Sequence, residues 1–150
     1  IPGRFQIVPG PIPIVLDVAH NPQAARALAA NLARVPCRGV TRVVLAMLRD
    51  KSHAGFVGAL ASVSGSWHVS SLGGERGFAG EALARVVQSS SNGAAVALHA
   101  DVPAALSAAL AASTPADRVV VTGSFITVGT AMAMLNIKSQ QGDPKNGKAT

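Results

Sequence analysis

Aromatic side chains are nearly missing from this sequence: one Trp, four Phe and no Tyr make up 3% of 150 residues. Large rings therefore cannot dominate the core. Ala, Val, Leu and Gly must build it, the mix expected where helices pack closely on a parallel sheet. Cysteine is reduced to Cys37, which excludes a disulfide framework and a cysteine metal cluster. Such scarcity fits a reducing compartment, and the expected location is the cytoplasm. Cys37 itself reads as a small, half-buried residue at a helix end. Charged residues amount to 13% against 49% hydrophobic ones. No apolar run reaches the roughly 18 residues needed to cross a bilayer, so no membrane segment is expected. The start carries neither Met nor a charged-then-apolar leader, and Ile1-Pro2-Gly3-Arg4 is expected to open an excised piece of a longer protein. The net charge of +6 favours anionic partners. Lys138, Lys145 and Lys148 lie in a polar tail, however, and the arginines form no basic run with interleaved aromatics, so nucleic acid is not expected as a partner.

The length suits one domain that buries most of its apolar surface. β-rich apolar runs at Ile12–Leu16, Arg42–Met47, Trp67–Ser71, Ala95–Leu98 and Arg118–Thr122 alternate with helical patterns. The helical stretches are Pro22–Val35, Ala54–Val63, Ala79–Gln88, Pro103–Ala112 and about Thr127 to Asn136. Asn21 and Asp101 suit helix N-caps, with Pro22 and Pro103 tolerated in the first turn. Repeated strand-then-helix units predict an α/β, Rossmann-like three-layer domain: a mostly parallel sheet of about five to six strands with helices on both faces. Arg4–Val8, turned back at Pro9-Gly10-Pro11, is expected to add an antiparallel edge strand. The domain is placed at residues 1–137 and a polar, disordered tail at 138–150.

In such sheets ligands bind beyond the carboxyl ends of the strands, where strand order switches. Three polar clusters fall at those ends: Asp17-Val18-Ala19-His20-Asn21-Pro22, Arg49-Asp50-Lys51 and Thr122-Gly123-Ser124. A fourth loop, Gly73-Gly74-Glu75-Arg76-Gly77, is charged and rich in glycine. A helix begun at Asn21 turns its free N–H groups and positive dipole end toward an anion such as phosphate. Asp17 can hold a ribose hydroxyl or a metal-bound water, and His20 a phosphate or carboxylate. Against this stands plain capping by Asp17 and Asn21, with His20 at the surface. Lys51 can meet a carboxylate or phosphate as a point charge, or be merely solvated. Gly123 and Ser124 allow close backbone approach and supply a hydroxyl at a helix start, which is also ordinary turn chemistry. His53, His68 and His99 lack metal-ligand spacing and read as structural or exposed. The stretch Gly142-Asp143-Pro144-Lys145-Asn146-Gly147-Lys148 copies much of a Walker A loop, but Ala149 replaces the Ser or Thr that would hold magnesium. With no strand before it and no helix after it, it is set aside.

Taken together, Pro2-Gly3-Arg4-Phe5-Gln6, the Asp17–Pro22 hexapeptide, Met47-Leu48-Arg49-Asp50-Lys51 and Gly123-Ser124-Phe125-Ile126-Thr127-Val128-Gly129 resemble folylpolyglutamate synthase/dihydrofolate synthase. The likeness is to its C-terminal domain, within the Mur ligase family, and runs from about residue 2 to 136. Family members usually carry Gly where Val18 stands and an aromatic residue where Ile126 stands. The resemblance implies ATP-dependent addition of L-glutamate to dihydropteroate or folate through an acyl phosphate. It also implies that the phosphate loop and most Mg2+ ligands sit in preceding domains absent from this chain. By the same resemblance Arg4, Asp17 and Asn21 serve the nucleotide, and His20 is the catalytic candidate near the transferred phosphoryl group. Lys51, Thr122 and Ser124 would receive the glutamate carboxylates. Expected partners are ATP, L-glutamate, the folate substrate and the N-terminal ATPase domain of the same polypeptide, and a monomer is expected. The isolated chain is expected to be inactive. Two other functions stay open: the C-terminal domain of a peptidoglycan Mur ligase, and a non-enzymatic Rossmann-like binding module.

Overall fold

The computed structural model describes residues 3–137. The tail expected at 138–150 and the Walker-like stretch within it lie outside the described residues. In chain order the elements are β1 (Gln6–Val8), β2 (Ile14–Asp17), α1 (Pro22–Arg34), β3 (Thr41–Leu45), α2 (His53–Leu60), β4 (Ser66–Ser70), α3 (Gly80–Ser90), β5 (Ala95–His99), α4 (Val102–Ala112), β6 (Arg118–Thr122) and α5 (Phe125–Met134). The strands form a six-stranded sheet in the order β1-β2-β6-β3-β4-β5. Only the β1–β2 pair is antiparallel. The α/β sandwich and its antiparallel edge strand thus take the form the alternating pattern predicts.

Side-chain alternation along the strands sorts the core into two layers. Val15, Val43, Leu45, Trp67, Val69 and Val120 face α1, α2 and α3, meeting Leu28, Phe56 and Leu83. Ile14, Leu16, Val44, Val119 and Val121 face the opposite way, meeting Ala105, Leu106, Ala109, Val128 and Ala131 of α4 and α5. The low aromatic content is visible here: Trp67 and Phe56 are the two largest fully buried side chains, and aliphatic residues fill the rest. One buried cation ties the layers together. Arg118 donates Nη1 and Nη2 to the carbonyls of Val35 and Leu32, and Nε to the Thr41 hydroxyl. It thereby supplies a donor to the Val35 carbonyl at the end of α1 and a second donor to the Leu32 carbonyl, which already accepts the Val35 amide.

The caps at Asn21 and Asp101 form as read from the sequence, each side chain accepting an amide three residues on, from Ala24 and Ala104. Several boundaries differ. β1 starts at Gln6 rather than Arg4, because Phe5 adopts φ +43°, a left-handed conformation that cannot continue a strand. β2 runs to Asp17, so this acid ends a strand instead of lying in the turn. α5 begins at Phe125, directly after a Ser124 cap, two residues earlier than periodicity suggests. α2 ends at Leu60 and tightens into a 3-10 turn over Ala61–Val63.

Candidate functional site

The sheet order creates the site. β2 is followed by α1 on one face, while its neighbour β6 is followed by α5 on the other, so the two connections diverge and leave a crevice. β3, on the far side of β6, sends its own connection back toward the α1 face. Asp17, Thr122 and Leu45 lie in one register across these adjacent strands. The three polar clusters therefore leave the sheet along one rim.

The rim is bonded to itself. Gly123 donates its amide to the Ala19 carbonyl at 3.0 Å, and the Thr122 hydroxyl reaches the same oxygen at 3.4 Å. Gly123 has φ +119°, and a Cβ there would overlap the Ala46 carbonyl oxygen, so only glycine fits. Thr127 donates its hydroxyl to Ala46 at 2.7 Å. That commits the Thr127 proton, so in the 2.8 Å contact between the two hydroxyls Ser124 must be the donor. Ser124 also accepts the Thr127 amide as the cap of α5. The turns after β2, β6 and β3 are thus joined through Ala19, Gly123, Thr127 and Ala46.

A cavity of about 540 Å³ opens between the turn after β2 and the start of α5. Arg4, Asp17, His20 and Asn21 all line it, together with Phe5, Gln23, Asn31 and Phe125. Asp17 accepts the amides of Phe5 at 3.0 Å and Ala19 at 2.9 Å through separate oxygens. Burial nevertheless raises its carboxyl above the usual 3.8, against the pull of those two amides and of the Arg4 charge. The carboxylate is short of compensation, which leaves it receptive to a ligand hydroxyl or cation. His20 places Nδ1 at 3.0 Å from the Val18 carbonyl. A carbonyl can only accept, so Nδ1 carries the proton and neutral His20 keeps its lone pair on Nε2. Its ring tilts against Phe125 with centroids 5.8 Å apart.

The helix start offers fewer amides than the sequence suggests. Pro22 has no N–H and Asn21 takes that of Ala24, so Gln23 holds the uncommitted amide of the first turn. α5 is better supplied, since its cap engages Thr127 and leaves the amides of Phe125 and Ile126. Lys51, Thr122 and Ser124 do not line the cavity. Thr122 and Ser124 are buried, their hydroxyls engaged as described, whereas Lys51 is half-buried on the turn after β3. Among the described residues no three His, Cys, Asp or Glu side chains converge as a metal site. No helix there is long and apolar enough to cross a membrane.

The sequence singles out Arg4, Asp17, His20 and Asn21 of the cavity lining but no function for Phe5, Gln23, Asn31 or Phe125. Phe125 is 63% exposed although large and apolar, a fact visible only once α5 is placed. Gln23 and Asn31 carry no local signal. Asn31 reaches the cavity because it lies on the same stripe of α1 as Asn21, Ala24, Ala27 and Leu28.

Fold and rim together define a Rossmann-like α/β domain with a polar cavity at the switch point of its sheet. Residues 3–125 match the family described as Mur ligase, glutamate ligase domain, and the chain belongs to that family. It is 36% identical over 142 residues to the dihydrofolate synthase/folylpolyglutamate synthase of Escherichia coli (strain K12), covering 95% of this chain and 32% of that protein. The enzyme of the same name from Haemophilus influenzae is 33% identical over 117 residues, covering 77% of this chain and 27% of that protein. Among solved structures, E. coli FolC in complex with DHPP and ADP matches with a TM-score of 0.84 at 36% identity, over 91% of this chain and 31% of that one. Mycobacterium tuberculosis folylpolyglutamate synthase complexed with ADP matches at 0.86 and 30% identity, over 93% and 33%. A bifunctional folylpolyglutamate synthase/dihydrofolate synthase with Mn, AMPPNP and L-glutamate bound matches at 0.84 and 39% identity, over 91% and 32%. The chain spans about a third of the length of these relatives.

Proposed function

We propose that this chain is the C-terminal part of an ATP-dependent ligase that adds L-glutamate to dihydropteroate or folate through an acyl phosphate. The observation that carries the reading is the meeting of Arg4, Asp17, His20 and Asn21 in one cavity at the switch point. Kinship supports the folate branch over a peptidoglycan ligase, since the E. coli and H. influenzae relatives are named for dihydrofolate and folylpolyglutamate synthesis. The same names favour an enzyme over a binding module without chemistry.

In this reading the chain forms one wall of a cleft whose other wall, with the phosphate loop, belongs to the N-terminal ATPase part of the same polypeptide. Arg4 receives the nucleotide phosphates as a bidentate donor. Asp17, undercompensated by burial, binds the ribose hydroxyls. The exposed Asn21 amide group, whose oxygen caps α1, offers its N–H2 to phosphate oxygens. His20 holds its Nε2 lone pair ready to take a proton from the glutamate amine as it attacks the acyl phosphate. Lys51 and the amides at the start of α5, held by Thr122 and Ser124, receive the glutamate carboxylates. Magnesium would neutralise phosphate charge. Asp17 is the one acid lining the cavity, and among the described residues no metal cage forms, in keeping with magnesium ligands supplied mainly by the other part. Splitting the site lets closure exclude water only once substrates are bound. The lone Cys37 and the chemistry itself suit the cytoplasm.

The test is ATP-dependent incorporation of labelled L-glutamate into dihydropteroate and tetrahydrofolate by the full-length protein, with a nucleotide-linked muramyl acceptor in parallel. His20→Ala should lower kcat by about 10²–10⁴-fold. Incorporation only into the muramyl acceptor, or none with any acceptor, rejects the reading.

A further inference from the structure

Lys51 lies in a turn outside any helix or strand, yet that turn is firmly held. Just beyond β3, Met47–Arg49 runs antiparallel to Arg76–Phe78 of the β4–α3 loop. Phe78 donates its amide to Met47 at 2.9 Å, Arg49 donates to Arg76 at 2.8 Å, and Leu48 pairs with Gly77 between them. Gly77 lets the β4–α3 loop fold tightly on itself, since a Cβ there would overlap the Leu72 carbonyl of the same loop.

His53, the first residue of α2, completes the assembly. Its Nε2 lies 2.8 Å from the Leu48 carbonyl, so that nitrogen carries the proton and donates. Its ring lies flat on Phe78, with centroids 3.9 Å apart and planes 6° from parallel. One side chain thus grips both the Lys51 turn and the loop that pairs with it. The His53–Leu48 bond also spans the turn, closing a short loop that contains Lys51. Neither His53 nor Phe78 lines the cavity, and the ligase chemistry proposed above uses neither.

We propose that the His53–Phe78 stack is a positioning device for Lys51, setting the backbone beneath the ammonium that meets the amino-acid substrate's carboxylate. This rests on the assignment of Lys51 to glutamate made above. The physical argument is preorganisation. Lys is a point charge on a flexible four-carbon stem, so its placement depends on the backbone that carries it. A positively charged side chain on a loose turn would bind carboxylate at a cost in ordering on every encounter. The stack and the Leu48 bond remove that freedom before the substrate arrives.

The experiment uses the full-length enzyme, with separate KM values for glutamate, ATP and the folate substrate. Lys51→Gln should raise the glutamate KM. His53→Ala and Phe78→Leu should each raise it by about 10- to 100-fold, the upper figure being the scale of a 1 Å misplacement. The ATP and folate KM values should stay within twofold of the parent. The effects of the two substitutions should not add, because both break one contact. His53→Gln, which keeps a flat N–H donor, should recover most of the loss. Thermal melts identify any variant that fails to fold; if His53→Ala does so, Phe78→Leu and His53→Gln carry the comparison. A glutamate KM unchanged in the folded stack variants, or all three KM values rising together, overturns the proposal. If Lys51→Gln also leaves the glutamate KM unchanged, the assignment of Lys51 itself is wrong and the positioning role falls with it. A Lys51 effect without a stack effect refutes the stack alone.

Discussion

Thr127 shows how much one buried hydroxyl can decide. It is fully buried, donates to Ala46 and accepts from Ser124, and so links the ends of β3 and β6. Thr127→Val keeps the shape but strands the Ala46 carbonyl and the Ser124 hydroxyl, a loss of about 1–3 kcal/mol. Thr127→Ser should fold close to the parent in urea titrations. Equal stabilities for the Val and Ser variants would contradict the linkage. Asp17 supplies a second test at this scale. Its carboxyl is raised above 3.8 by burial, so it takes up a proton at higher pH than a free Asp does. Nucleotide affinity of the full-length enzyme should therefore weaken as pH falls toward that range. Asp17→Asn should bind less tightly at neutral pH and lose that pH dependence. A parallel decline in both proteins would point to another group.

The elements depend on polar contacts that cross from one to the next. Arg118 joins the end of α1 to β6 and Thr41 by three hydrogen bonds from a charged group. Arg118→Met should destabilise by about 1–3 kcal/mol, since it takes the donor from the Val35 carbonyl and from the buried Thr41 hydroxyl. Arg118→Lys, lacking the fork, should recover less than half in urea melts. On the sheet's far side, His68 of β4 meets His99 of β5 at 3.0 Å, beneath α4. Its other ring nitrogen is buried without a partner. Burial first, then the nearby His99 and Arg42, push His68 below its ordinary 6.5. α4 brings no titratable side chain within Val102–Ala112 to offset this. The folded state therefore holds His68 neutral while the unfolded chain protonates normally. Its contribution is full above about pH 6.5 and is lost as pH falls below it. Asp117 acts in a lower window. The Val40 and Thr114 amides hold it under 3.8, so its contribution is full above that value and lost as pH falls through its lower folded value. Chemical melts from pH 7 to 5 should show a decline that His68→Leu flattens. An unchanged slope in that variant would exclude His68 as its source.

At the scale of the whole molecule, the cavity is an open surface feature on one side of the chain. Catalysis of amide formation needs the amine placed against an activated carboxyl away from water. A single open wall cannot provide that enclosure. If the chain is one wall of a ligase as proposed, the isolated 150 residues should show no ligase turnover, and activity should require the N-terminal part that the proposal assigns to the same polypeptide. Measurable ATP-dependent glutamate addition by the isolated chain would contradict the split-site account.

The alternation of apolar runs was enough to read the α/β class, the edge strand and the caps at Asn21 and Asp101, because period, proline and capping chemistry act locally. The same local signals located Asp17, His20 and Asn21 at a strand end, and spacing alone suggested that Lys51, Thr122 and Ser124 would share their rim. Only the tertiary structure decided the strand order that places β6 between β2 and β3, since that depends on which faces pack best over long separations. It alone revealed that the Ser124 proton is committed to Thr127, that Phe125 borders the cavity, and that burial rather than charge governs Asp17. Hydrogen-bond partners and solvent access arise between segments distant in the chain, and no local pattern encodes them.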